Sequence, residues 1–125
     1  MKWTKALETG HEIIDHQHQG LFECLAELET ATAEQRTLLA VYSITRLKHY
    51  VREHFETEEA VMKQCRYPKL KEHIVEHQTF RTKMLDLQIK AIVMDVSMEM
   101  VGFLSDWLVN HIAKSDLEYV RFLRK

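Results

Sequence analysis

The sequence predicts an all-α fold, an antiparallel up-down-up-down four-helix bundle with an N-terminal arm. Three glycines and one proline among 125 residues favour long helices with short loops over a many-stranded sheet. Four stretches carry apolar residues at spacings of three and four, and only short segments separate them. Four amphipathic helices joined in this way pack as an antiparallel bundle. We expect one domain over residues 1–125, since this length suits a single core.

Composition and charge exclude several classes of protein. A content of 46% hydrophobic and 29% charged residues is typical of a globular protein, and a net charge of −2 indicates no nucleic-acid partner. No apolar run approaches the ~20 residues of a membrane span, and the N-terminus lacks the apolar segment of a signal peptide. A cytoplasmic monomer is therefore expected. Cys24 and Cys65 share no motif spacing and are predicted to be free thiols.

The N-terminal arm is predicted over residues 1–17, which show no sustained periodicity. Trp3, Ile13 and Ile14 are expected to anchor this arm against the bundle. The first helix is predicted at about 18–31, with Asp15 as a candidate cap. Its inward stripe consists of His18, Leu21, Phe22, Leu25 and Leu28. The segment 30–37 loses the pattern and is predicted to form the first turn.

The second and third helices are predicted at about 38–64 and 69–90. Tyr67-Pro68 separates them, because proline disfavours helical geometry in the residue before it and suits a first helical turn. Three histidines and one carboxylate fall within the apolar stripes of these helices. The second stripe contains Ile44, Leu47, Val51, His54, Phe55, Glu58 and Met62. The third contains Leu70, His73, Ile74, His77, Phe80, Met84 and Leu87.

The fourth helix is predicted at about 97–123, after a weak break at 93–96. Its inward stripe contains Met100, Val101, Leu104, Trp107, Leu108, His111, Ile112, Ser115 and Tyr119. Asp116 lies five residues beyond His111, which places it on the flank of this stripe.

Every predicted helix thus contributes at least one inward histidine, and two inward carboxylates accompany them. Buried imidazoles and carboxylates are costly unless something pairs with them, which indicates a metal site. The seven residues are His18, His54, Glu58, His73, His77, His111 and Asp116. Seven ligands exceed the six that one ion needs, and a carboxylate can bridge two ions, so the set predicts a dinuclear site. Imidazole suits iron, copper, nickel and zinc.

Three further histidines do not fit this pattern. His49 lies one residue off the second stripe, and His11 and His16 belong to the arm or to the entry of the first helix. We expect these three side chains to be solvated.

The sequence resembles the hemerythrin family, in particular its single-domain bacterial members, over essentially the whole chain. The resemblance rests on matching motifs in the arm, in all four helices and in the break between the second and third helices. They are Gly10-His11, Ile14 to His18, His54 to Glu59, Tyr67-Pro68, His73 with His77, and Trp107-Leu108 through His111-Ile112 to Asp116.

The resemblance implies a non-haem di-iron centre that binds O2 reversibly, for oxygen transport, storage or delivery to an oxygen-consuming enzyme. It implies that His73, His77 and His111 hold one iron and that His18 and His54 hold the other. Glu58 and Asp116 would bridge both irons, together with a solvent-derived oxo or hydroxo group. This leaves the two-histidine iron with five donors, one fewer than the other iron, so O2 is expected there.

The same resemblance suggests an apolar pocket around the open position. Its expected walls are Phe55, Trp107, Leu108 and Ile112.

The donor set favours binding over catalysis, so the chain is not expected to be an enzyme. Five imidazoles outnumber two carboxylates, and no Glu-x-x-His pair of the kind used by di-iron carboxylate enzymes lies on an inward stripe. The alternatives are a di-iron redox enzyme or sensor acting on peroxide or nitric oxide. Zinc or manganese in place of iron also stays open at this stage.

Overall fold

Four helical rods joined by short turns build the protein in a computed structural model that describes residues 3–123. The first three rods are α1 (Glu12–Thr30), α2 (Ala33–Gln64) and α3 (Leu70–Lys90). The fourth is continuous but changes type along its length: α4 (Ser97–Trp107), a π-helical segment (Leu108–Asp116) and α5 (Leu117–Leu123). Helix α2 packs against α1, α3 and α4, and α1 also packs against α4. The predicted four-helix bundle is confirmed.

The inward stripes predicted for the first two helices are buried as expected. The buried apolar residues form one large and one small cluster, and the small cluster lies at the end of the bundle near the α2–α3 turn. The large cluster includes Leu21, Phe55, Phe80, Leu104, Leu108 and Ile112. The small cluster consists of Ile14, Met62, Tyr67, Tyr119 and Val120. Along each rod, buried histidines lie between residues of these two clusters.

The N-terminal arm is shorter than predicted, because α1 begins at Glu12 and not near residue 18. The cap is the His11 side chain, whose Nδ1 accepts a hydrogen bond from the Ile14 amide. Asp15, the predicted cap, instead lies in the first turn and accepts hydrogen bonds from the amide and hydroxyl of Thr9 at 2.8 and 2.7 Å. Gly10 permits this arrangement because its φ of 88° is one that glycine adopts without strain.

The predicted anchors of the arm have different outcomes. Trp3 packs edge-on against Phe22 with ring centroids 5.5 Å apart, as expected for an anchor. Ile14 is fully buried, but it belongs to α1 and not to an arm. The prediction for Ile13 is wrong, since its side chain is 58% exposed on the outer face of the helix.

The second helix also begins earlier than expected, at Ala33 and not near residue 38. Thr32 caps it by accepting a hydrogen bond from the Gln35 amide. The residues of this first turn are mostly exposed, so they carry no apolar periodicity that the sequence could reveal.

Two smaller expectations concern the cysteines and the membrane. Cys24 is buried, Cys65 is partly buried, and both are free thiols. Within residues 3–123, no helix is long and apolar enough to cross a membrane.

Candidate metal centre

The seven side chains singled out from the sequence meet in one buried layer between the two apolar clusters. Each is at most 2% exposed, and Glu58, His18, His77 and Asp116 are fully buried. The potential ligand atoms form two groups, and within each group the atoms lie within 4.8 Å of one another. One group is Glu58, His73, His77, His111 and Asp116, and the other is His18, His54, Glu58 and Asp116. Both carboxylates therefore belong to both groups.

The two oxygens of each carboxylate face different groups. Asp116 Oδ1 lies 2.8 Å from His73 Nε2 and 3.0 Å from His111 Nε2, whereas Asp116 Oδ2 lies 2.9 Å from His18 Nε2. Glu58 divides in the same way. Its Oε1 contacts His54 Nε2 and lies 3.9 Å from His18 Nε2, and its Oε2 lies 3.5 Å from His73 Nε2. This is the arrangement that two bridging carboxylates require.

These close approaches do not align as hydrogen bonds. Both oxygens of Glu58 and of Asp116 are buried without a hydrogen-bond partner, and so is Nε2 of four histidines. The four are His18, His73, His77 and His111. Leaving so many buried polar atoms unsatisfied is costly. Cations bound between these carboxylate oxygens and Nε2 atoms would give every one of them a partner, so this donor set fits a metal centre.

The charges within the layer also suit a cation site. Burial and the neighbouring Asp116 oppose ionisation of Glu58, but His54 and His73 outweigh them and lower its pKa to about 2. Burial likewise opposes ionisation of Asp116, but His111, His18 and His73 hold its pKa well below its usual range. Both bridging candidates are thus negatively charged. Burial lowers the pKa of His77 to about 2, which keeps its Nε2 lone pair free for a metal.

The π-helical segment explains how Asp116 reaches this layer. A π-helix pairs residues i and i+5, so residues five apart lie on one face, as residues four apart do in an α-helix. His111 and Asp116 both lie in this segment and both point inward. The prediction from the sequence placed Asp116 on the flank of the stripe because that prediction used the period of a regular α-helix. The spacing of five was the only sign of the segment.

Three residues outside the predicted set orient the histidines. His54 Nδ1 donates to Gln17 Oε1, and His77 Nδ1 lies 2.7 Å from Glu59 Oε2. His111 Nδ1 lies 3.2 Å from Glu76 Oε1, which also accepts a hydrogen bond from the Ser115 hydroxyl at 2.8 Å. Histidines that bind a metal donate their other ring N–H to such acceptors, which fixes the tautomer.

Sequence reasoning did not assign these outer partners. The available signal was that each inward histidine needs an acceptor for its second nitrogen. A polar residue next to an inward one, as Gln17 and Glu59 are, is a natural choice for that acceptor.

The four residues predicted to form an O2 pocket are all buried, and two of them contact histidines directly. The Phe55 ring is parallel to that of His77, with centroids 3.8 Å apart. The Trp107 ring stacks on His111 at 4.1 Å. These two aromatic rings therefore support the three-histidine group. Leu108 and Ile112 belong to the large apolar cluster beside the layer.

Two tyrosines also line the layer. Tyr119 is fully buried 5.4 Å from the His73 ring, and burial together with Glu58 and Asp116 raises its pKa far above the usual range. The Tyr50 ring stacks on His54 with centroids 6.0 Å apart, and burial raises its pKa as well. Both phenols therefore stay neutral. The sequence identified Tyr119 only as a stripe residue and did not identify Tyr50.

The three histidines predicted to lie outside the site do lie outside it. His16 and His49 are exposed, as expected. His11 is only partly exposed, because its ring caps α1 and is not simply solvated.

Comparison with known proteins gives a consistent result. A sequence model described as the Hemerythrin HHE cation binding domain matches residues 9–123. The chain is 31% identical to a bacteriohemerythrin of Pseudomonas aeruginosa, over 98% of this chain and 80% of that protein. It is 32% identical to a bacteriohemerythrin of Clostridium acetobutylicum, over 94% of this chain and 97% of that protein. A myohemerythrin of Theromyzon tessulatum is 30% identical, over 94% of this chain and 89% of that protein.

The family model covers all seven residues of the buried layer, and these relatives align along nearly the entire chain. The resemblance noted in the motifs is thereby confirmed, and the chain belongs to the hemerythrin family.

Proposed function

We propose that the buried layer binds two iron ions and that the protein binds O2 reversibly at this centre. The observation that carries the proposal is the division of the two carboxylates, whose separate oxygens face separate groups of histidines. Membership of the hemerythrin family supports iron over the other metals that imidazole suits.

Each iron would have its own set of histidines. His73, His77 and His111 would hold one ion, and His18 and His54 the other. Glu58 and Asp116 would bridge the two, with a solvent-derived oxo or hydroxo group as the third bridge. When bound, the iron pair would supply an open coordination position and the electrons that reversible O2 binding requires.

The protein residues around this centre have three roles. Gln17, Glu59 and Glu76 hold His54, His77 and His111 in one tautomer, so that each Nε2 points inward. The burial of the layer excludes bulk water. We propose that Leu108, Ile112 and Phe55 form the apolar wall near the open position, since the Phe55 ring also lies 5.8 Å from that of His54. Trp107, which stacks on His111, would close this wall from the side of the three-histidine group. Excluding water and stray protons there would keep the bound O2 from leaving as a reduced product.

The donor balance supports binding over catalysis. Five neutral imidazoles and only two carboxylates give little stabilisation to high-valent iron, which oxygen-activating di-iron enzymes need. A carrier, a store, or a local supply of O2 to an oxygen-consuming enzyme is the role that we propose.

Iron content and O2 uptake test the proposal directly. The chain should bind two irons and one O2 per iron pair, and Glu58→Ala should lose iron because it removes one bridge. His49→Ala is the matched control, since this histidine is exposed on the same helix and outside the layer. Equal iron content in the wild type and both variants would contradict the assignment.

A further inference from the structure

A groove on the surface between α2 and α3 has three cationic side chains around an apolar floor. Its volume is about 230 Å³, and no acidic residue lines it. The lining residues are Lys48, Val51, Arg52, Arg81, Met84 and Leu85. Val51 and Met84 form the buried base of the floor, whereas the Leu85 side chain is 51% exposed. None of these residues belongs to the metal centre.

The positive charge of the groove is poorly compensated by the protein itself. Lys48 Nζ donates to Gln88 Oε1 at 2.7 Å, which is a neutral partner. Arg52 is exposed, and within residues 3–123 it forms no ion pair. Arg81 has one carboxylate nearby, with its Nη2 3.5 Å from Glu59 Oε2. Of these three cations, only Arg81 lies within ion-pair distance of a carboxylate in the described part of the chain.

Arg81 connects the groove to a histidine of the buried layer by two routes. The Glu59 oxygen that it approaches is the same Oε2 that lies 2.7 Å from His77 Nδ1. Its guanidinium also lies over the Phe55 ring, 5.1 Å from the centroid, and Phe55 stacks on His77 at 3.8 Å. A change at Arg81 therefore acts on two contacts of the His77 ring, those with Glu59 and Phe55.

We propose that this groove binds a small amphipathic carboxylate. Its hydrocarbon body would cover Met84 and Leu85, and its head would pair with Arg52 and Arg81, since guanidinium matches a carboxylate in a two-pronged geometry. The volume is below the roughly 300–1,000 Å³ typical of pockets for drug-sized ligands, which selects a short chain or a single ring.

A ligand in the groove changes the hydrogen bond between His77 Nδ1 and Glu59 Oε2. A bound carboxylate draws the Arg81 guanidinium away from Glu59, so that Glu59 Oε2 interacts with His77 Nδ1 alone and accepts a stronger hydrogen bond from it. Outer partners of this kind set the donor strength of a metal-binding imidazole. This coupling rests on the proposed function, in which His77 binds iron, whereas the groove itself does not.

Calorimetric titration with octanoate tests the site in both the iron-loaded and the metal-free protein. Octanol lacks the carboxylate head and acetate lacks the hydrocarbon body. Each of these two controls should bind at least about tenfold more weakly than octanoate. Arg52→Gln should weaken octanoate binding about threefold, as expected for one exposed ion pair. Leu85→Glu should abolish it by placing a negative charge in the groove. Lys71→Gln, an exposed cation elsewhere on α3, should change nothing.

Failure of octanoate to bind, or equal binding of octanol, would overturn the groove proposal and leave the proposed O2 function untouched. An affinity for octanoate that is the same in Arg52→Gln, Leu85→Glu and the wild type would do so as well.

Nitrogen-15 NMR of the metal-free protein tests the coupling. Saturation with octanoate should shift the Nδ1–H resonance of His77 downfield. His111 is the internal control, because its partner is Glu76 and not Glu59. Equal shifts at both histidines, or no shift at His77, would overturn the coupling.

Discussion

His111 and Asp116 meet inside the bundle although five residues separate them, with His111 Nε2 3.0 Å from Asp116 Oδ1. In a regular α-helix, residues three and four apart share a face, and a residue five further on turns away. The π-helical segment Leu108–Asp116 removes this conflict. π-Helical segments within α-helices are rare and frequently lie at functional sites, which agrees with the position of this one.

Asp116→Ala should bind less than half of the wild-type iron, because it removes one bridge and the contact that Asp116 makes with three histidines. Metal analysis after anaerobic loading measures this. Asp106→Ala serves as the control, since Asp106 is exposed on the same rod. Loss of iron in both variants would mean that the effect is not specific to the layer.

Glu59→Gln should weaken metal binding by roughly 10- to 100-fold, the usual cost of losing a partner that orients a metal-binding histidine. The amide can still accept the hydrogen bond of His77, but it lacks the charge that strengthens the imidazole as a donor. Competition with a chelator gives the affinity. Glu56→Gln, an exposed neighbour on α2, should bind metal as the wild type does.

Removal of the metal should lower the melting temperature by at least roughly 10 °C, because ligands that bind only the folded state stabilise it. The metal-free layer keeps two buried carboxylates and several unsatisfied imidazole nitrogens. Melting curves of the metal-free and iron-loaded forms measure the difference. A change of only a degree or two would show that the layer does not bind metal as a buried cluster.

The metal-free protein should lose stability as the pH rises above neutrality. Burial alone would lower the pKa of His73 and His111, but Asp116 outweighs it and raises these pKa values to about 9 and about 10. A folded-state pKa above the unfolded value of about 6.5 gives stability that is complete below pH 6.5 and lost through pH 9–10.

Urea unfolding at pH 6.5 and 9.5 measures this loss, which should be a few kcal/mol for the metal-free form. In the iron-loaded form the same nitrogens bind metal and not protons, so the loss should be much smaller. A metal-free protein that becomes more stable over this range would contradict the charge assignment of the layer.

Most of the buried face of each helix could be predicted from the sequence because burial repeats with the period of the helix. Four residues of the predicted third and fourth stripes are only partly buried, namely Leu70, Ile74, Val101 and Ser115. His54 and Glu58 were identified because they interrupt the apolar stripe of α2 four residues apart. Gln17, Glu59 and Glu76 were not assigned, because they are only partly buried and nothing in the spacing marks an outer partner. These outer partners are identified by the direction in which each histidine Nδ1 points, and that direction is known only from the folded structure.

The helix starts were the least predictable feature. Ala33 to Thr37 lie in an exposed first turn, so the pattern that defines α2 begins only after them. The start of α1 depends on a cap by His11 and on hydrogen bonds from Thr9 to Asp15. These contacts are local, but they involve residue types that occur in many turns.

Reversible oxygenation is the central claim, and optical spectroscopy tests it most directly. The iron-loaded protein is reduced without air, and its spectrum is recorded as O2 is admitted and then removed over several cycles. A visible band that appears with O2 and disappears without it, at constant amplitude, is the predicted result. One-way conversion to a ferric spectrum on the first exposure, with release of peroxide, would contradict the account.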